Sequence, residues 1–230
     1  VVPSICDKLD QAPAGSSFVR NASWTLSNFC RGRPGPKFEL IERAIPSLVK
    51  VLIENTAEDI IVDVCWALSY TSDGGDKHIQ KIISSGGLKR LIECLDQPNL
   101  AVTISCLRTI GNILTGNDQM VNWAIEAGVL QALSSIMMHP KMPVRKETCW
   151  SLSNITAGNS DQIQLCINEG IVDQLVQLLM QDGMEIKKEA VWALSNTTAN
   201  ASPEQFKILV EKNIVKALGS MLNVKEPRIL

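Results

Sequence analysis

An all-α, right-handed solenoid of three-helix repeats is predicted for this 230-residue chain by three observations. The stretch Lys146-Glu-Thr-Cys-Trp150-Ser-Leu-Ser-Asn154-Ile-Thr-Ala-Gly158 returns almost letter for letter as Lys188-Glu-Ala-Val-Trp192-Ala-Leu-Ser-Asn196-Thr-Thr-Ala. Its Trp position recurs at a constant interval of 42 residues, as Trp24, Trp66, Arg108, Trp150 and Trp192. Between the copies, glycines and prolines cut the chain into apolar-periodic segments of helical length. A unit of roughly 40–47 residues punctuated in this way buries its apolar face only by stacking on a neighbour. One or two globular domains, the guess from length alone, therefore give way to a single array over 1–230.

The elements follow in order. Residues 1–10 read as a second-type helix and 16–31 as a third-type helix, a partial repeat over 1–33 broken by Gly32, Pro34 and Pro36. Repeats then run over about 37–75, 76–117, 118–159 and 160–201, with a partial repeat over 202–230. In the clearest copy the first helix spans 119–126 and Gly128 closes it as a C-cap. The second spans 129–138 with Pro140 behind it, and the third spans 144–157 and ends at Gly158. The preceding unit reads 77–85, Gly86-Gly87, 88–95, Pro98, then a third helix running to Gly116. Gly170 and Gly183 punctuate the next unit, and Pro203 after Ser202 opens the last, proline being favoured at a first helical position. Three helices per unit favour the armadillo form over the two-helix HEAT form. The abrupt start at Val1-Val-Pro3, and an end at Arg228-Ile-Leu230 with no polar capping helix, are expected of a fragment of something longer.

Composition removes several function classes. A formal net charge of −2 gives no overall basic surface for nucleic acid. No apolar run approaches the ~20 residues of a membrane span, and no signal peptide is visible. The seven cysteines (6, 30, 65, 94, 106, 149, 166) are odd in number and form no Cys-x-x-Cys pair, which suits buried thiols in a reducing compartment. Asn-x-Ser/Thr sequons at Asn21, Asn154 and Asn196 fall inside predicted helices and, with the one at Asn200, read as accidental. His78 and His139 are isolated from metal-ligand spacing. Gly74-Gly75 and Gly86-Gly87 fit no phosphate-binding motif. Ser27, Ser69, Ser153 and Ser195 have no positioned base. Neither catalysis nor a metal or cofactor is expected.

Helix geometry decides what the tryptophans do. At 100° per residue with Trp150 at the origin, Leu152 falls at about 200°, Thr148 at about 160°, Ile155 at about 140° and Cys149 at about 260°. Asn154 and Glu147 fall at about 40° and 60°, beside the indole and away from that stripe. Around Trp192, Leu194, Ala190 and Val191 point inward and Glu189 and Asn196 outward. Around Trp66, Cys65, Leu68 and Val64 are inward, Asp63 and Tyr70 outward. A single Trp at helical spacing is more often core than ligand. Four in one register, each opposite its apolar stripe, indicate a displayed ladder. Trp123 lacks the pattern and reads as first-helix packing.

A ladder of indoles and amides on stacked helices suits an extended peptide, at roughly three peptide residues per rung. Asn offers one acceptor and two donors for main-chain groups. Neighbouring indoles form slots for a long alkyl stem with a cationic head, and Asp63, Glu147 and Glu189 complement that charge. The ligand read from the residues is an extended Lys/Arg-rich segment. The competing reading makes the asparagines caps or bridges between repeats and the carboxylates surface ion pairs.

The runs Trp-Thr-Leu-Ser-Asn at 24, Cys-Trp-Ala-Leu-Ser-Tyr at 65, Ile-Gly-Asn-Ile-Leu-Thr-Gly at 110 and Trp-Ser-Leu-Ser-Asn-Ile-Thr-Ala-Gly at 150 resemble the importin-α (karyopherin-α) family. The likeness covers essentially the whole chain, and Tyr70 and Arg108 reproduce the family's interruption of its ladder. The resemblance implies an adaptor for nuclear localisation signals, present in cytoplasm and nucleus, with two basic-peptide sites in one groove. The minor site would use Asn112, Glu147, Trp150, Ser153, Asn154, Glu189, Trp192 and Asn196. A partial major site would use Asn21, Trp24, Asn28, Asp63 and Trp66, its upstream repeats preceding residue 1. Tyr70 and Arg108 would lie under the linker of a bipartite signal. Val121 departs from the family's usual Thr. Importin-β and the export receptor would be partners through regions absent from this chain. Another armadillo scaffold, of the junctional type resembling β-catenin or the docking part of a ubiquitin ligase, is the alternative; its groove should lack the regular Trp/Asn ladder.

Overall fold

The structure, a computed structural model, describes residues 1–32, 34–222 and 224. The expected chain end at Arg228-Ile-Leu230 lies outside the described residues. Every regular element among those described is helical. The chain divides into two compact units, Val1–Gly128 and Val129–Leu230.

The first unit holds α1 (Val2–Leu9), α2 (Ser17–Cys30), α3 (Phe38–Ile41), α4 (Ala44–Glu54), α5 (Glu58–Ser72), α6 (Asp76–Ser84), α7 (Gly87–Glu93), α8 (Leu100–Ile113) and α9 (Asp118–Glu126). The third-type helices stack, α5 packing against both α2 and α8. Leu26, Ile60, Leu68, Leu107 and Ile110 are fully buried between them, each side chain contributing about 1.5–3 kcal/mol by leaving water. Ser16, Asn99 and Asn117 cap α2, α8 and α9 by accepting from first-turn amides. Helix α7 is shorter than the expected 88–95, because Cys94–Asp96 tightens into a 3-10 turn. Pro98 explains the early stop: it holds Gln97 extended (φ −87°, ψ 142°), as residues before proline prefer.

The second unit holds α10 (Val129–Ile136), α11 (Met142–Thr156), α12 (Ser160–Asn168), α13 (Ile171–Gln181), α14 (Met184–Asn200), α15 (Pro203–Glu211) and α16 (Ile214–Gly219). Here α11 stacks on α14. Helix α11 begins two residues before the expected 144, taking Pro143 into its first turn, where a missing N–H costs nothing. Helix α10 stops at Ile136 rather than 138. Capping boxes start α12 (Asn159 with Gln162) and α15 (Ser202 with Gln205, Pro203 in the first turn).

The α3–α4 corner turns through right-handed Glu42 and Arg43, but the later corners between first- and second-type helices use a left-handed residue. Gly86 (φ 87°), Gly128 (φ 94°) and Gly170 (φ 76°) supply it at 42-residue intervals. The last corner falls one residue late, on Asn213 (φ 64°), asparagine being among the few side chains that tolerate this region. Repeats within each unit are tied by bonds that share a register. Lys146 and Arg20, each four residues before its Trp, pair with Glu185 and Asp59, each seven residues before the next Trp. All seven cysteines are buried and free. Burial pushes the Cys149 and Cys166 thiols up to about 12, which leaves them inert at neutral pH.

Candidate functional site

The third-type helices place the sequence-predicted residues. On α11, Val144, Thr148, Cys149, Ser151, Leu152 and Ile155 are buried, whereas Glu147, Trp150 and Asn154 line the opposite, half-buried strip. On α14 the same split buries Ile186, Ala190, Ala193 and Leu194 and displays Trp192, which is 56% exposed, with Glu189 and Asn196 half-buried beside it. Val191, expected inward, is half-buried on the flank of the stripe. These residues come together on one strip per helix within the second unit. Asn112 lies in the first unit, on α8.

In the first unit α2 displays Asn21, Trp24 and Asn28, Trp24 at 60% exposure. Helix α5 carries Asp63, Trp66 and Tyr70 half-buried over buried Val64, Cys65 and Leu68. Tyr70 stacks on Trp66, ring centroids 6.0 Å apart and planes 26° from parallel. Arg108 and Asn112 are half-buried on α8. A cleft of about 320 Å³ opens among Trp66, Ser69, Tyr70, Asp73, Arg108 and Asn112. Asp73 was missed from sequence; its place three residues after Tyr70 on the same helical face was the available signal.

The asparagines show how the amides are aimed. Asn112 Nδ2 donates to Ser69 O at 2.8 Å and Asn196 Nδ2 donates to Ser153 O at 2.9 Å, both reaching the preceding third-type helix in the same register. Asn28 Nδ2 donates instead to Trp24 O of its own helix at 2.9 Å. The bridging role is therefore real for Asn112 and Asn196, yet it uses one donor of three polar groups. It holds the amide in place, and the oxygen and second N–H remain a donor–acceptor pair suited to a main-chain unit. Ser153 is buried, its hydroxyl donating to Trp150 O at 2.7 Å while its carbonyl accepts from Asn196. Val121 is buried as well, at 3% exposure.

Asp63 is partly desolvated. Burial raises the Asp63 carboxyl above its ordinary range, with Arg20 pulling the other way. A cation seated beside Asp63 would relieve that cost. His78 is a core residue, edge-on to Phe38 at 4.7 Å, its imidazole pushed below the ordinary value by burial. Among the described residues, no group of three or more His, Cys, Asp or Glu side chains could hold a metal ion. No helix among them is long and apolar enough to cross a membrane.

Comparison with known proteins places this architecture. The Armadillo/beta-catenin-like repeat matches three times, at residues 75–115, 117–157 and 159–199. Importin subunit alpha-B of Dictyostelium discoideum is 50% identical over 101 residues, 44% of this chain and 19% of that protein. Importin subunit alpha-1b of Oryza sativa subsp. japonica is 52% identical over 101 residues, again 44% of this chain and 19% of the relative. The matched stretch thus spans about a fifth of the length of these relatives. A designed armadillo repeat protein solved in complex with the peptide (KR)4 superposes with a TM-score of 0.89 at 30% identity, covering 99% of this chain and 94% of its own. With three repeats over more than half its length, the chain belongs to the Armadillo/beta-catenin-like repeat family and, over 44% of that length, groups with the importin-α subunits.

Proposed function

We propose that this chain is the cargo-binding part of a nuclear import adaptor, which holds Lys/Arg-rich localisation signals as extended peptides. The observation that carries the reading is the paired strip on α11 and α14: Glu147, Trp150 and Asn154 beside Glu189, Trp192 and Asn196, with Asn196 aimed by Ser153 O. The indoles offer slots for alkyl stems, the carboxylates face the cationic heads and the amides clasp the peptide main chain. The names of the importin α relatives and the alternating Lys-Arg peptide bound by the designed neighbour support the same ligand chemistry.

On this reading the second-unit strip is the minor site. Asn21, Trp24, Asn28, Asp63 and Trp66 supply a second basic-peptide site in the first unit. Tyr70 and Arg108, which interrupt the ladder, receive the linker of a bipartite signal. The protein acts as an adaptor and not as an enzyme, working in cytoplasm and nucleus with basic cargo proteins, importin-β and an export receptor as its partners. The test is a fluorescence-anisotropy titration with a bipartite Lys/Arg-rich peptide, with its Lys→Ala counterpart as control. Saturable binding that falls at least tenfold in Trp150→Ala/Trp192→Ala, and is absent for the control, is expected. Equal, weak and wholly salt-screened binding by both proteins would overturn the reading, since an acidic surface would then be attracting cations without reading them.

A further inference from the structure

Three clefts of the first unit adjoin at the end of α5. Beside the cleft of about 320 Å³ that holds Arg108 and Asn112, a second of about 380 Å³ is lined by Arg31, Gly32, Tyr70 and Asp73. A third, of about 220 Å³, has Pro34, Pro36, Ile41, Tyr70, Asp73 and His78 among its walls. Tyr70 and Asp73 line all three, so a segment lying over Tyr70 in the first cleft also reaches the third. That smallest cleft falls below the range of about 300–1,000 Å³ usual for whole small-molecule ligands, and its size suits one inserted side chain.

Its walls offer few polar partners. Pro34 and Pro36 carry no N–H, and the Thr71 hydroxyl already donates to Ala67 O at 2.8 Å. Asp73 is exposed to solvent. His78 is different. The residue is 9% exposed, and its Nδ1 is buried without a hydrogen-bond partner. Its imidazole lies against Gly74, where a Cβ would meet Cε1 at 2.5 Å and both ring nitrogens at 2.7 Å, so only glycine leaves the ring its place. A buried nitrogen in this state is costly, and a ligand group that pairs with it removes the cost.

We propose that this pocket takes one tyrosine side chain of the bound basic peptide, its phenol pairing with His78 Nδ1. The inference rests on the groove reading above, since the linker over Tyr70 is what would bring the tyrosine to the pocket. A hydroxyl both donates and accepts, so it satisfies Nδ1 in either tautomer. A turn of the ring about its Cβ–Cγ bond presents that nitrogen to the pocket. Tyrosine sets a large apolar body against Pro34, Pro36 and Ile41 with only two torsions to fix, and its O–H needs a partner once buried. Phenylalanine would fill the same space and leave Nδ1 unpaired. Linker composition, as well as the basic clusters, then sets affinity.

The test is 15N NMR of the two histidine imidazoles in the full chain. The first probe is p-cresol, the tyrosine side chain without its backbone, with toluene as the counterpart lacking the hydroxyl. His78 Nδ1 is expected to shift saturably with p-cresol, while His139, whose Nδ1 already accepts from Lys141 N at 3.1 Å, stays. Toluene should bind at least fivefold more weakly. His78→Phe should abolish that difference, as should Gly74→Ala, whose Cβ displaces the imidazole, with circular dichroism verifying that each variant folds. The second probe is a bipartite Lys/Arg-rich peptide with one tyrosine scanned along its linker, against the same peptides with phenylalanine. At the best position tyrosine should bind severalfold tighter to the wild type and no tighter to His78→Phe. An unmoved His78, equal binding of toluene, or a hydroxyl preference that survives both variants would overturn the proposal. Binding of p-cresol with no tyrosine preference in any peptide would overturn the assignment of the pocket to cargo. If no peptide binds at all, the groove reading falls instead, while p-cresol still decides the pocket.

Discussion

The two units use one helical plan and differ where that plan leaves residues free. Beneath the strips they are interchangeable: Val64, Cys65 and Leu68 under Trp66 match Thr148, Cys149 and Leu152 under Trp150, all buried. On the strips they part. The first unit stacks Tyr70 on Trp66 and puts Arg108 in a Trp position, opening a cleft with mixed charge. The second keeps Trp150 and Trp192 in unbroken register, each preceded by Glu and followed by Asn. Shared buried positions therefore carry the fold.

The sharpest way to break this comparison is to cut the shared core. Leu68→Ala and Leu152→Ala each remove a fully buried side chain, and each should cost about 3 kcal/mol. Urea denaturation checks this, and losses differing severalfold between the two would contradict a common plan.

Next in size is a tie found only in the second unit. Arg145→Met leaves Asp182, largely shielded from solvent, without its bidentate partner and should cost about 2 kcal/mol at neutral pH. Arg145 holds the Asp182 carboxyl below its ordinary value of 3.8, so the stabilisation is present above that value and fades as pH falls through the lowered one. The gap between wild type and variant in urea midpoints should narrow accordingly in acid.

Asp63 separates stability from binding. Its carboxyl is raised by burial, so the folded state holds the proton more tightly, and stability is lost as pH rises from the ordinary value of 3.8 through the raised one. Asp63→Asn should therefore leave the melting temperature at pH 7 unchanged or higher. It should also weaken a basic peptide at the first unit by roughly 1 kcal/mol, about fivefold in Kd. Calorimetry and anisotropy on one preparation read both. The smallest effect is expected at the exposed pair of Arg20 with Asp59, where Arg20→Ala should change stability by less than about 0.5 kcal/mol.

Much of this was legible in the sequence because a 42-residue period and a 100° helical turn are both arithmetic. They gave the helix order, the glycine ends of the first helices and the outward face of the four Trp in register. What needed the structure depends on distances between helices. The bonds of Asn112 and Asn196 to a preceding carbonyl and the pairing of Arg145 with Asp182 join residues 37 to 43 apart in sequence. The 3-10 turn at Cys94–Asp96 reflects a backbone constraint at Pro98 that apolar periodicity does not encode.

The most direct test of the displayed ladder is an indole 1H–15N NMR titration with an alternating Lys-Arg peptide. Of the five tryptophans, four stand in the repeat register and Trp123 serves as the internal control on α9. Saturable shifts of Trp150 and Trp192, with Trp123 unmoved, are the predicted result. Peptide binding that leaves the Trp150 and Trp192 signals in place would contradict the account, because cationic side chains would then be held somewhere other than between these indoles.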